Sequence, residues 1–158
     1  MDARKVALAS VITALYAVSV IVFGSTSFAI VQVRFAYALI PLSIVFGMPV
    51  VFGVTLGNVI ANAYGGIGLV DIVGGSVANF IAAYVGWKIG SKGFHGSIII
   101  ATVAQNLIVS GIVGSYLAVL FEVPLEFGFL GILFGSIVSI NIIGYVLVLA
   151  IMKSGVLS

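Results

Sequence analysis

The sequence predicts an all-α integral membrane protein: one bundle of six transmembrane helices with both termini in the cytoplasm. Three observations predict it. Hydrophobic residues make up 63% of the 158-residue chain and charged residues only 6%, against about 25% charged in soluble domains. Apolar runs of bilayer-spanning length, about 18 residues or more, fill nearly the whole chain. The basic residues gather on one side of the resulting topology, as cytoplasmic loops require.

The helices are expected near residues 4–23, 35–47, 50–64, 71–91, 97–120 and 127–152, all within a single domain spanning 1–158. The first apolar run follows Arg4-Lys5 and continues for about 20 residues. A secretory signal core is shorter, so this run reads as a retained helix. Gly24-Ser25-Thr26-Ser27 ends it. Gly47-Met48-Pro49 makes a tight turn, Gly65-Gly66-Ile67-Gly68 closes the third helix, Lys92-Gly93-Phe94-His95-Gly96 follows the fourth, and Glu122-Val123-Pro124 precedes the last. The second and third helices are short, roughly 20 Å each, against a hydrocarbon core of about 30 Å. Residues 24–34 are therefore expected to fold back against protein, because non-helical backbone survives at that depth only there or beside a wet cavity.

With even-numbered spans the termini share a side. Placing that side in the cytoplasm puts Arg4, Lys5, Lys88, Lys92 and Lys153 inside, together with Asp2, and leaves Arg34 outside with Asp71, Glu122 and Glu126. A net charge of +2 is explained by this asymmetry, so no nucleic-acid partner is expected.

Packing in lipid favours small residues that let backbones approach. Gly53, Gly57, Ala61 and Gly65 form such a stripe on the third helix, Ala78, Ala82, Gly86 and Gly90 on the fourth, and Gly131, Gly135 and Ser139 on the last. Ala3, Ala7, Ser10, Ala14 and Ala17 share a face of the first helix. That stripe begins at the cytoplasmic end and reads as a face for a partner, with Ala3, Ala7 and Ala14 as its docking residues.

Polar side chains in a bilayer are costly and default to functional candidates. Thr55, Asn58 and Asn62 line one face of the third helix. Asn79 lies two turns beyond Asp71 on the fourth. Thr102, Asn106 and Ser110 run along the fifth beside Gln105, and Asn141 lies mid-depth on the sixth. These amides, near mid-depth on four helices, are expected to converge on one polar cavity, with Arg34 and Asp71 toward the outer face and Phe35, Tyr37 and Tyr64 flanking the set. A flat ligand could stack there while amides and a carboxylate read its edge. A carboxylate accepts two hydrogen bonds side by side, which suits a guanine-like edge. Tyr116 and Trp87 read as interfacial belt residues.

Catalysis is not expected. The sequence has no phosphate-binding G-x-x-x-x-G-K-[ST] loop. Cysteine is absent, and the lone histidine, His95, has no nearby carboxylate, so neither a metal site nor a cofactor is expected. The chain reads as a binder and conduit without its own energy source.

Three ordered segments carry a resemblance. They are Val31-Gln32-Val33-Arg34-Phe35-Ala36-Tyr37-Ala38-Leu39-Ile40-Pro41, Gly53-Val54-Thr55-Leu56-Gly57-Asn58-Val59-Ile60-Ala61-Asn62 and Gly68-Leu69-Val70-Asp71-Ile72-Val73-Gly74-Gly75. Together they resemble the QueT family, the substrate-binding (S) components of energy-coupling factor transporters. The N-terminal Ala-Arg-Lys-Val-Ala-Leu-Ala also looks like the S-component opening. The resemblance implies capture of a queuosine precursor, a deazaguanine base, from outside a prokaryotic cell. It also implies association with a membrane coupling subunit and two cytoplasmic ATPase subunits. Arg34, Asn58, Asn62 and Asp71 sit in the matching motifs. The family often has an acidic residue where this chain has Tyr37, which shifts the ligand-reading role to Asp71. Asn79, Gln105 and Asn106 would add hydrogen bonds, and Phe35, Tyr37 or Tyr64 would stack. The alternatives are an S component for another vitamin or nucleobase, a self-contained channel or carrier, and a scaffold without ligand.

Overall fold

A computed structural model describes residues 2–27 and 32–155. Val31, within the first family-like segment, lies outside the described residues, as do positions 28–30 of the expected fold-back. Six helical segments make up the bundle, and no strand occurs among the described residues: α1 (Ala3–Val22), α2 (Phe35–Phe46), α3 (Met48–Gly65), α4 (Leu69–Gly90), α5 (Ser97–Leu120) and α6 (Leu125–Lys153). All but α2 are long and apolar enough to cross a membrane. Their outward faces carry large apolar side chains, such as Val11, Leu15 and Val18 on α1 and Val103 and Leu107 on α5. Outward apolar faces are stable when lipid is the solvent.

The helix boundaries fall within about two residues of those expected from sequence. Asp2 caps α1, its carboxylate accepting from the Lys5 N–H at 2.9 Å. Gly24–Ser27 adds one further helical turn beyond Phe23, where the sequence suggested only a break.

The second helix departs most. Its first eight residues, Phe35–Leu42, wind as a 3₁₀-helix, and only Ser43–Phe46 are α-helical. Pro41 has no N–H for an α-helical ladder, and the tighter winding rises about 2.0 Å per residue. The segment therefore reaches farther than an α-helix of equal length, yet stays short of the roughly 30 Å hydrocarbon core. Gly47 at φ 66° reverses the chain into α3, where Pro49 occupies the first turn.

α6 is irregular at its centre. Residues Ile137–Gly144 wind as a π-helix. This widened stretch packs against α2: a Cβ at Gly144 would fall 2.6 Å from the Pro41 ring.

Small residues set the seams, as the stripes predict. α1 packs on α3, α3 on α4, α4 on α5, and α5 on α6. A Cβ at Gly53 would lie 2.7 Å from Ile12, and one at Gly57 would lie 2.7 Å from the Tyr16 Cβ and 2.9 Å from the Thr13 carbonyl oxygen. Thr13 Oγ1 also donates to the Gly53 carbonyl at 3.2 Å. Gly57→Val is therefore expected to pry α1 from α3 and cost about 1–3 kcal/mol, read as a lower midpoint of thermal unfolding in detergent. The partner face expected on α1 lies elsewhere. Ala3, Ala7, Ser10 and Ala14 are exposed, whereas Ala17, the last member of that stripe, is buried in the bundle.

Candidate functional site

Six of the expected site residues meet in one buried cluster: Arg34, Tyr37, Asn58, Asn62, Asp71 and Asn79. Asn58 and Asn62 share a face of α3 because they are four residues apart. Asp71, Gly75 and Asn79 share a face of α4 for the same reason. The two faces meet where Gly75 removes a side chain. A Cβ there would lie 2.7 Å from Asn58 Nδ2, 2.8 Å from Asn62 Nδ2 and 3.2 Å from Tyr116 Oη.

Arg34 immediately precedes α2 and is 2% exposed. Its guanidinium spans both α3 amides, Nη1 donating to Asn58 Oδ1 at 2.9 Å and Nη2 to Asn62 Oδ1 at 2.6 Å. It also lies over the Tyr37 ring, 5.5 Å from the centroid, a cation–π arrangement. The amide nitrogens are committed as well. Asn58 Nδ2 donates to Ser76 Oγ at 3.2 Å, and Asn62 Nδ2 to the Asp71 backbone carbonyl at 2.8 Å. Asn58 Oδ1 accepts a second bond from Tyr16 Oη at 3.1 Å. The α3 amides thus serve as a frame that ties α1, α2, α3 and α4 together.

The frame leaves polar atoms open on two helices: the Tyr37 hydroxyl on α2 is buried without a partner among the described residues, and so are two acceptors on α4. Asp71 is buried in the first turn of α4, where the helix N-terminus favours an anionic group. Its Oδ1 accepts from Tyr116 Oη at 2.8 Å. Its Oδ2 is buried and has no partner among the described residues, and the same holds for Asn79 Oδ1, while Asn79 Nδ2 donates to the Val54 carbonyl at 3.2 Å. A buried polar atom without a partner costs free energy, so the open carboxylate oxygen of Asp71 in this charged cluster marks a place for a donor.

The remaining expected residues lie apart, and the expectation of one convergent amide cavity is corrected here. Gln105 is wedged between α2 and α4. Its Nε2 donates to Ser43 Oγ at 3.2 Å and to the Ile40 carbonyl at 3.4 Å, and a Cβ on Gly86 would collide with it. Asn106 Nδ2 donates to Asn141 Oδ1 at 2.5 Å, and Ser110 Oγ to Asn106 Oδ1 at 3.0 Å. The Gln105 bonds and the Asn106–Asn141 pair are interhelical, the ordinary use of amides in membrane bundles; Ser110 supports Asn106 from within α5, and Gln105 Oε1 is buried without a partner among the described residues. Phe35 packs on Phe23, with centroids 5.0 Å apart, and is partly exposed. Tyr64 is 68% exposed, unlike the buried cluster. Of the three aromatic residues expected to flank the site, only Tyr37 does.

Tyr16, Ser76 and Tyr116 join the cluster without having been singled out for it. The Tyr16 signal was present, because Tyr16 falls on the buried face of α1 opposite the Gly57 notch. Ser76 sits one turn after Ile72, whose carbonyl it also bonds at 2.6 Å, and carries no comparable signal. Tyr116 is not a belt residue, since its hydroxyl is turned inward to Asp71.

The family model for the QueT transporter matches residues 6–153, nearly the whole chain. No curated protein and no solved structure matches the chain. The matched span includes every residue of the cluster. The chain therefore belongs to the QueT transporter family, and is a multi-pass membrane transporter component that binds substrate and is not an enzyme.

Proposed function

We propose that this chain is the S component of an energy-coupling factor importer in a prokaryotic plasma membrane, and that it captures a queuosine precursor of the deazaguanine class from outside the cell. The observation that carries the reading is the buried, unpartnered Asp71 Oδ2. It belongs to a framed polar cluster in which Arg34, Tyr37, Asn58, Asn62 and Asp71 fall in the family-like segments, with Asn79 two turns farther along α4. Asp71 accepts a ring or exocyclic N–H of the ligand, Asn79 Oδ1 accepts another, and the Tyr37 ring supplies a flat wall. Arg34, Asn58 and Asn62 hold the frame in register.

In this reading the chain is one domain that crosses the membrane six times, α2 being the short span, with both termini in the cytoplasm. Asp71 begins α4 at the outer face, and Lys88 closes the same helix inside. Lys88 Nζ rests 4.4 Å from the Trp87 ring centroid, as interfacial anchors do. The energising partners are a membrane coupling subunit and two cytoplasmic ATPases. The coupling subunit docks on Ala3, Ala7 and Ala14. Beside this stripe runs a groove of about 600 Å³ lined by Val6, Ser10, Thr13, Ala14, Phe52 and Leu56, which suits a helix packing through small residues. Ala7→Trp is expected to abolish co-purification with the coupling subunit while leaving ligand affinity within twofold of wild type.

The reading is tested by thermal shift of the purified chain against deazaguanines, thiamine, riboflavin and biotin. Ligand at one hundred times its Kd stabilises the bound state by about 2.7 kcal/mol, a readable shift. Stabilisation by deazaguanines alone supports the assignment. Stabilisation by one of the vitamins instead overturns the ligand class, and substrate uptake into liposomes by the chain without ATPases overturns the S-component mechanism.

A further inference from the structure

We propose that Tyr116 is a positioning residue of the ligand site, fixing which oxygen of Asp71 meets the ligand. This rests on the reading above that Asp71 accepts an N–H of the bound base. A carboxylate at the start of a helix can rotate and present either oxygen. Here Tyr116 Oη donates to Oδ1 at 2.8 Å, across 45 residues of sequence and from a different helix. Oδ2 is then the oxygen presented, and it is the one left without a partner among the described residues.

The backbone of α4 is shaped around this arrangement. A Cβ at Gly74 would lie 2.9 Å from the Tyr116 ring, and one at Gly75 would lie 3.2 Å from its hydroxyl. Two consecutive glycines therefore let the Tyr116 side chain cross close to α4 and reach the carboxylate. A tyrosine serving only as an interfacial anchor would direct its hydroxyl toward water or headgroups. This one directs it to the single acidic group of the cluster.

Loss of the hydroxyl frees Asp71 to rotate and leaves Oδ1 competing for the ligand's donor. Tyr116→Phe keeps the ring against Gly74 and removes only the hydrogen bond. Titration calorimetry of purified wild type, Tyr116→Phe, Asp71→Ala and the double variant with 7-deazaguanine and its N1-methyl analogue separates the possibilities. Tyr116→Phe is expected to bind 7-deazaguanine about tenfold more weakly and to discriminate less against the methylated analogue. Adding Tyr116→Phe to Asp71→Ala is expected to cost nothing further, because residues acting through one another are non-additive. Unchanged affinity of Tyr116→Phe, or penalties that add in the double variant, overturns the role of Tyr116 while leaving Asp71 in the site. A wild type that ignores 7-deazaguanine, or an Asp71→Ala variant of undiminished affinity, overturns the underlying reading of the site and this inference with it.

Discussion

Asp71→Asn is expected to lower ligand affinity at least tenfold while the protein still folds and purifies in normal yield. The substitution is nearly isosteric. An asparagine oxygen in place of Oδ1 still accepts from Tyr116 Oη, and the Asp71 backbone carbonyl still accepts from Asn62 Nδ2, so the frame around the site survives. The position of Oδ2 becomes an NH₂ group, which turns an acceptor into a donor and sets it against the ligand's own N–H. A site built to bond a polar group discriminates strongly when that bond is lost, and every 1.4 kcal/mol is about tenfold. Calorimetric titration checks the affinity, and size-exclusion profiles check the fold. Normal affinity in the variant would place Asp71 outside ligand recognition.

Arg34→Met is expected to act on stability first. The guanidinium holds two buried amide oxygens, and hydrogen bonds to a charged group contribute about 1.5–3 kcal/mol each. Asn58 Oδ1 would keep its bond from Tyr16 Oη, whereas Asn62 Oδ1 would lose the partner seen here. A net loss of about 3 kcal/mol is expected, along with loosening of α2 from α3. Arg34→Lys rescues little, because an ammonium is a point charge and does not span two acceptors as a planar fork does. Thermal unfolding in detergent reads the effect. Equal midpoints for wild type and both variants would mean that the guanidinium frame contributes no net stability.

Much of the bundle was legible in the sequence because lipid imposes a simple rule: apolar outside, small residues at seams, turn chemistry at the ends. That rule placed α1, α3, α4, α5 and α6 and their glycine contacts. It did not reveal the 3₁₀ winding of Phe35–Leu42, although Pro41 inside an apolar run was the signal for it. The π-helical stretch of α6 has no local signature; at Gly144 it packs against the Pro41 ring of another helix. The candidate site was half legible. Asn58, Asn62 and Asn79 were singled out as candidates by helical spacing and by the cost of polar groups in lipid, and Arg34 and Asp71 by the family-like segments that contain them. The same logic grouped Gln105 and Asn106 with them, because spacing gives the face of a helix but not its rotation in the bundle. Tyr116 was hidden for a different reason. An aromatic residue near a helix end reads as an interfacial anchor, and only its partner on another helix shows otherwise.

Native mass spectrometry of the chain purified from its host membrane tests the central claim most directly. The account predicts that wild type carries a small heteroaromatic molecule of deazaguanine mass and that Asp71→Asn, equally folded, does not. An empty wild type that also fails to take up added deazaguanines, or an Asp71→Asn variant carrying the same molecule at the same occupancy, would contradict it.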